Sequence, residues 1–434
     1  MISLSRNKNI IGSESQRSIV KMYSTYVNKY KASFFKMIGF GVVLGERNRL
    51  NIKMLEGRRK GETPLDLIDC HTSGGVFNLG HNHPEIVKAL KDGLDAGLNI
   101  GDHHLLSEQR SLLAKEMAEL LPGDISKTQY CVGGGEAIDL AIKLARGITQ
   151  RKKILSANRA YHGVTGFALG ACASRFKDMF LWGPSDFAQV PFGDLGALSK
   201  QIDENTSCVL FETIPATGGI LIPPEGYFAT IRELCDDKGV IMISDEVQAG
   251  LGRTGEMWGI YGGLYENEKV VPDIIVLAKG MSSGVYPMAT CSYRPFIEEV
   301  FKEDPFLHIS TTGGSELGCY VTRKMLDILS KPEFLSHVKD MGKLFGDDLE
   351  ELKEKYSNLI VEVRGRGLMW GIEFKDEVYG QLFTVNMIKS GIWGDYCGNN
   401  KAVDKLMPPL IIEPEDIEEI MKRLENALNL FQKK

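Results

Sequence analysis

At 434 residues, 43% of them hydrophobic and 25% charged, the chain can bury a large core and reads as a globular protein of two or three lobes. A formal net charge of −6 speaks against nucleic acid or an anionic membrane surface as a main partner. No apolar run approaches the roughly 20 residues of a membrane span, and the eight cysteines stand singly, so a cytoplasmic protein with reduced thiols is expected.

Residues 1–14 are polar, and Ser15–Tyr30 reads as a helix with Ile19, Met22, Tyr23 and Tyr26 near one face. Residues 40–70 suggest short strands and turns. The glycine-punctuated loop T-S-G-G-V-F-N-L-G-H-N-H-P then runs to Pro84. Its His81 and His83, like His103 and His104, lack a third ligand at metal-site spacing, so no metal is expected. Helices are predicted over Glu85–Ala96 and Ser107–Leu121.

From about residue 128 short apolar runs alternate with helical stretches. Strand candidates are Tyr130–Val132, Lys153–Ser156, Cys208–Glu212, Val240–Asp245, Ile274–Ala278 and Met288–Ser292, and helices fall at Ala137–Arg146, Leu195–Asp203 and Tyr227–Lys238. This alternation predicts a mostly parallel sheet with helices on both faces, and ligands of such sheets bind at the carboxyl ends of strands. Ser315–Lys339 reads as a helix, followed by helix Leu344–Tyr356, strand Val361–Phe374 and helix Pro414–Phe431 in a separate lobe.

Lys279 ends the apolar run Ile274–Ala278. An amine at the mouth of a buried strand is desolvated toward its neutral, nucleophilic form, which suits Schiff-base chemistry with a carbonyl. Asp245 ends another strand, where a nearly buried carboxylate needs a cationic partner such as a protonated pyridine nitrogen, or else serves as a cap or structural ion pair. Gly133-Gly134-Gly135 opens a helix whose N–H groups can hold an anion such as phosphate, or forms a packing turn. G-L-G-R-T-G at 250–255 matches a dinucleotide fingerprint but is followed by a poor helix start.

Together these pieces resemble the class III aminotransferases, pyridoxal-phosphate enzymes of fold type I. The likeness runs over about residues 70–430 and rests on G-G-G-E-A-I-D-L-A-I-K-L-A-R, Y-H-G at 161–163, F-E-T at 211–213, D-E-V-Q at 245–248, G-R-T-G, P-D-I-I-V-L-A-K-G, S-T-T-G-G at 310–314, R-G-R-G-L-M and M-P-P-L-I-I. The resemblance implies an α/β fold with a mostly parallel central sheet and a smaller α+β lobe built from both chain ends. Residues 1–70 would be part of the small lobe, 71–325 the large cofactor-binding domain and 326–434 the C-terminal small domain. It also implies that Lys279 forms the Schiff base and shuttles a proton, and that Asp245 holds the pyridinium. Gln248 would bond the phenolic oxygen, Tyr161 and Val247 would sandwich the ring, and Gly134 and Gly135 would hold the phosphate. Glu212 would steady the cofactor network, and Thr311 would reach a neighbouring subunit's phosphate in a homodimer with shared sites. Phe77 and Lys405 are the substrate-facing candidates.

Where many ω-amino acid enzymes carry Gln-Gly-Glu, this chain has Pro215-Ala216-Thr217, and Lys405 stands where arginine is common. Uncharged Thr217 cannot mask a cation, so a small 2-oxo acid is expected over 2-oxoglutarate. The reading is a transaminase acting between a primary amine or ω-amino acid and a 2-oxo acid. The alternative is an ammonia-lyase, racemase, epimerase or aminomutase on the same scaffold. A nicotinamide dehydrogenase and a non-catalytic binding module are the more distant rivals.

Overall fold

The computed structural model describes residues 14–37, 44–55, 63–99, 101, 105–181 and 185–431; His103 and His104 lie outside them. Its centre is a seven-stranded sheet in the order Lys127–Cys131, Ala289–Tyr293, Ile274–Leu277, Ile241–Asp245, Thr206–Glu212, Lys153–Ala157, Phe187–Val190. Ala289–Tyr293 runs antiparallel to both neighbours, and the other pairings are parallel. The edge strand Phe187–Val190 was not among the sequence candidates. Its F-A-Q-V is only half-buried and lacks the continuous apolar run that marks the inner strands.

Every residue of Thr206–Glu212, Ile241–Asp245 and Ile274–Leu277 is buried. Alternation explains why: Leu210 and Ile243 face helix Gly134–Thr149 through Ile138, Ala141 and Ala145. Val209, Phe211 and Met242 face the opposite layer, which includes Phe228, Ile231 and Cys235 of helix Tyr227–Lys238.

Both chain ends build the smaller sheets. Leu44–Asn48, Asn51–Met54 and Asp66–Asp69 form antiparallel neighbours, and Ile392–Trp393 joins Asp66–Asp69 in parallel. An antiparallel sheet of Ile360–Arg366, Met369–Phe374, Asn400–Leu406 and Asp395–Cys397 lies in the C-terminal part. Four sequence-based expectations change. Ser15–Tyr30 is two helices, Gln16–Tyr26 and Lys29–Met37. Ser315–Lys339 breaks at Ser330-Lys331, because Pro332 starts a new helix that runs on to Lys355. Val361–Phe374 is a hairpin that turns at Gly367, where φ is +52°. Glu377–Lys389 is an additional helix. Among the described residues no helix is long and apolar enough to cross a membrane.

Candidate active site

A cavity of about 500 Å³ opens at the carboxyl ends of the central strands. Glu212 and Asp245 are the last residues of adjacent parallel strands and are register partners, and each is 5% exposed. Lys279 follows the next strand after one residue. Its φ of +47° places it in the left-handed region, a strained backbone that this loop holds in place. The cavity brings together Gly134, Gly135, Tyr161, Glu212, Asp245, Val247, Gln248 and Lys279.

The charges there bias one another. Burial pushes the Lys279 amine down to about 8, while Asp245 and Glu212 pull it back up and Lys405 lowers it further. Burial pushes Glu212 up to about 7, opposed by His162 and by the Tyr161 N–H, which donates to Glu212 Oε1 at 2.9 Å. Asp245 is fixed on both oxygens: Val247 N donates to Oδ1 at 3.0 Å, and Oδ2 lies 2.8 Å from His162 Nδ1. The His162 side chain is fully buried, and its Nε2 has no partner among the described residues. The Y-H-G motif carries no role for this histidine in the sequence pattern. Its adjacency to Tyr161 was the available signal.

The residues fit pyridoxal phosphate. At the start of helix Gly134–Thr149 the first intrahelical donor is Ala137, bonded to the Gly133 carbonyl, which leaves the Gly134 and Gly135 N–H groups for an anion. A Cβ on Gly135 would come 2.7 Å from Thr165 Oγ1, so only glycine keeps that cradle open. A Cβ on Gly133 would meet nothing within 4 Å, so steric need does not explain that glycine.

On the far side of Lys279 lies a left-handed turn, Thr72–Gly75, with φ of +47°, +52°, +73° and +93°. Asp69 holds it: Oδ1 accepts from the N–H of His71 at 3.0 Å and of Thr72 at 2.7 Å, and Oδ2 lies 2.9 Å from His81 Nε2. A Cβ on Gly74 would stand 3.1 Å from Gln248 Oε1 and 3.6 Å from Lys279 Nζ.

Three of the residues singled out from the sequence do not line this cavity. Phe77 packs beneath Gly284 and against the His81 ring, with centroids 4.2 Å apart, and faces a second, largely apolar cavity of about 600 Å³. Thr311 is exposed, on a loop whose Gly313 and Gly314 pack on Tyr130. Lys405 is 8% exposed on Asn400–Leu406, cross-strand from Asp395. Among the described residues no carboxylate oxygen lies within 4 Å of its ammonium. Residues 250–255 form turns with no helix after them, so the dinucleotide fingerprint lacks its helix. Arg253 there is fully buried and donates to the Leu368 and Pro408 carbonyls and to Asn78 Oδ1.

The model of the aminotransferase class-III family matches residues 58–428. The chain belongs to that family. An uncharacterised aminotransferase of Archaeoglobus fulgidus is 47% identical over 419 residues, 96% of each chain. Ornithine aminotransferase of Toxoplasma gondii superposes with a TM-score of 0.87 at 23% identity, covering 98% of both chains. An (S)-enantioselective omega-transaminase of Thermomicrobium roseum does so at 0.83 and 25%, covering 96% of this chain and 98% of that one. This class III aminotransferase therefore has the type I fold of pyridoxal-phosphate transferases and carries out pyridoxal-phosphate-dependent transamination between amines and 2-oxo acids.

Proposed function

We propose that Lys279 is the covalent anchor and proton carrier of this transaminase, with a primary amine or ω-amino acid as donor and a small 2-oxo acid as acceptor. The observation that carries this is the placement of its amine, lowered to about 8, in one cavity with the doubly held Asp245 carboxylate and the Gly134-Gly135 cradle. Pyridoxal phosphate, when bound, supplies the carbonyl that takes up the donor's amine and the ring that accepts the electron pair left when a proton departs.

The chain's own residues do the rest. The Gly134 and Gly135 N–H groups hold the phosphate. Asp245, with one oxygen on Val247 N and the other on His162, would keep a positively charged ring N–H in place. Gln248 would bond the cofactor's phenolic oxygen, Tyr161 and Val247 would flank its ring, and Glu212 would steady the network through the Tyr161 N–H. Lys279 Nζ, neutral in a useful fraction near pH 8, would take the proton that leaves the substrate's amine-bearing carbon and hold it for return. Lys405, whose charge is felt at Lys279 although it does not line the cavity, offers an ammonium to a substrate carboxylate, and Phe77 packs behind the turn without facing the cavity.

Thr311, exposed on its own chain, serves a neighbour's phosphate in a homodimer. All eight cysteines are buried free thiols, which supports a cytoplasmic location. Borohydride reduction of the purified holoenzyme, followed by peptide mapping, tests the anchor: the cofactor should be fixed to Lys279, and label on another lysine would refute the assignment.

A further inference from the structure

Histidine spacing along the chain predicts no metal site, yet three side chains from separate segments converge outside the cavity. Among the described residues, Cys131, Glu136 and His308 are the one group of three whose donor atoms all lie within 4.8 Å of one another. Cys131 ends the edge strand Lys127–Cys131 and is fully buried, Glu136 lies in the first turn of helix Gly134–Thr149, and His308 precedes the loop that carries Thr311.

From this geometry we infer a binding site for one borderline-soft divalent cation, of which Zn²⁺ is the type. The donor set is one thiolate, one carboxylate and one imidazole, with an open fourth position. Cys131 Sγ and His308 Nε2 are 3.6 Å apart. A tetrahedral Zn²⁺ with Zn–S of about 2.3 Å and Zn–N of about 2.0–2.1 Å sets those two ligands about 3.5 Å apart, so the pair already has the required span. Val132 N donates to Glu136 Oε2 at 2.8 Å, which orients the carboxylate as a bond outside the metal shell does. Burial, with the Lys143 charge second, holds the His308 ring below its ordinary value, which favours the neutral form that has a lone pair to give. Burial pushes the Cys131 thiol up, so it stays protonated until an ion displaces the proton; thiolate and carboxylate together then balance the ion's two positive charges.

Lys143 opposes this. Its Nζ lies 3.5 Å from His308 Nδ1, the nitrogen that must carry the proton once Nε2 binds metal, so the exposed lysine must swing away. The bound ion would join the edge strand, the first turn of the glycine-led helix and the Thr311 loop.

The test uses chelator-treated, dialysed holoenzyme titrated with Zn²⁺, and with Co²⁺ as a spectroscopic probe. The expected result is one ion per chain and a thiolate-to-cobalt charge-transfer band. Cys131→Ser should abolish that band, and both Cys131→Ser and His308→Gln should weaken Zn²⁺ binding by about 100-fold or more. Lys143→Met, an exposed change that spares all three ligands, should tighten binding. Wild-type protein that binds no ion, or variants that bind as the wild type does, would overturn the site.

Discussion

Asp245 and Lys405 are each defined by the charges around them, and each makes a single-residue prediction. Asp245→Asn keeps the shape and can keep the Val247 N–H bond, but an amide cannot hold a proton on a ring nitrogen. Turnover should fall by on the order of 100-fold or more, measured by single-turnover kinetics; near wild-type rates would make Asp245 merely structural. For Lys405, the uncharged Thr217 was the sequence argument against masking. The structure supplies a more distant charge, Asp395, cross-strand from Lys405 but not ion-paired with it, whose carboxyl is raised by burial and drawn back by Lys405. Lys405→Ala should lower kcat/KM for 2-oxoglutarate relative to pyruvate by about 10-fold, roughly one charge-assisted bond, and Asp395→Asn should move the ratio the other way. Identical ratios in both variants would remove Lys405 from substrate recognition. Lys279, Asp245 and Gln248 were legible because strand-end chemistry is local. His162 was not, since its partner is 83 residues away, and Asp395 became visible only through cross-strand register.

Among the elements, the central strands were readable because burial on both faces forces continuous apolar runs, and the break at Pro332 follows from local sterics. The turn Thr72–Gly75 was seen as a glycine loop, but its left-handed course was not, because Thr72 and Ser73 disfavour positive φ and are held there by Asp69 from the preceding strand. The turn forms one wall beside Lys279, so its geometry should matter to cofactor retention as well as stability. Gly74→Ala puts a Cβ at φ +73° and 3.1 Å from Gln248 Oε1. It should cost about 1 kcal/mol in denaturant unfolding and speed loss of the cofactor on dilution, followed by absorbance. Wild-type stability together with wild-type retention would show that the turn tolerates a side chain.

For the whole molecule, exposed apolar side chains bear on assembly. Leu105 and Leu106 are 67% and 102% exposed, and Phe306, Leu307 and Ile309 are 55%, 54% and 47% exposed. The Ser107 hydroxyl donates to Glu316 Oε1 at 2.8 Å, which ties the segment after the first pair to the helix that follows the Thr311 loop. Exposed apolar side chains suit an interface when they lie together, and we propose a second copy as the occupant, which also gives Thr311 a phosphate to reach. The active species should sediment at twice the 48.1 kDa chain mass. Leu106→Asp with Leu307→Asp should shift it toward monomer, with cofactor affinity falling as it does in Thr311→Ala alone, because both changes remove the same contact. Combining all three substitutions should add little to the double variant, since linked losses are not additive. A monomer that keeps full activity and full cofactor affinity would end the shared-site model, and a dimer in which Thr311→Ala changes nothing would leave assembly intact but move the phosphate contact elsewhere.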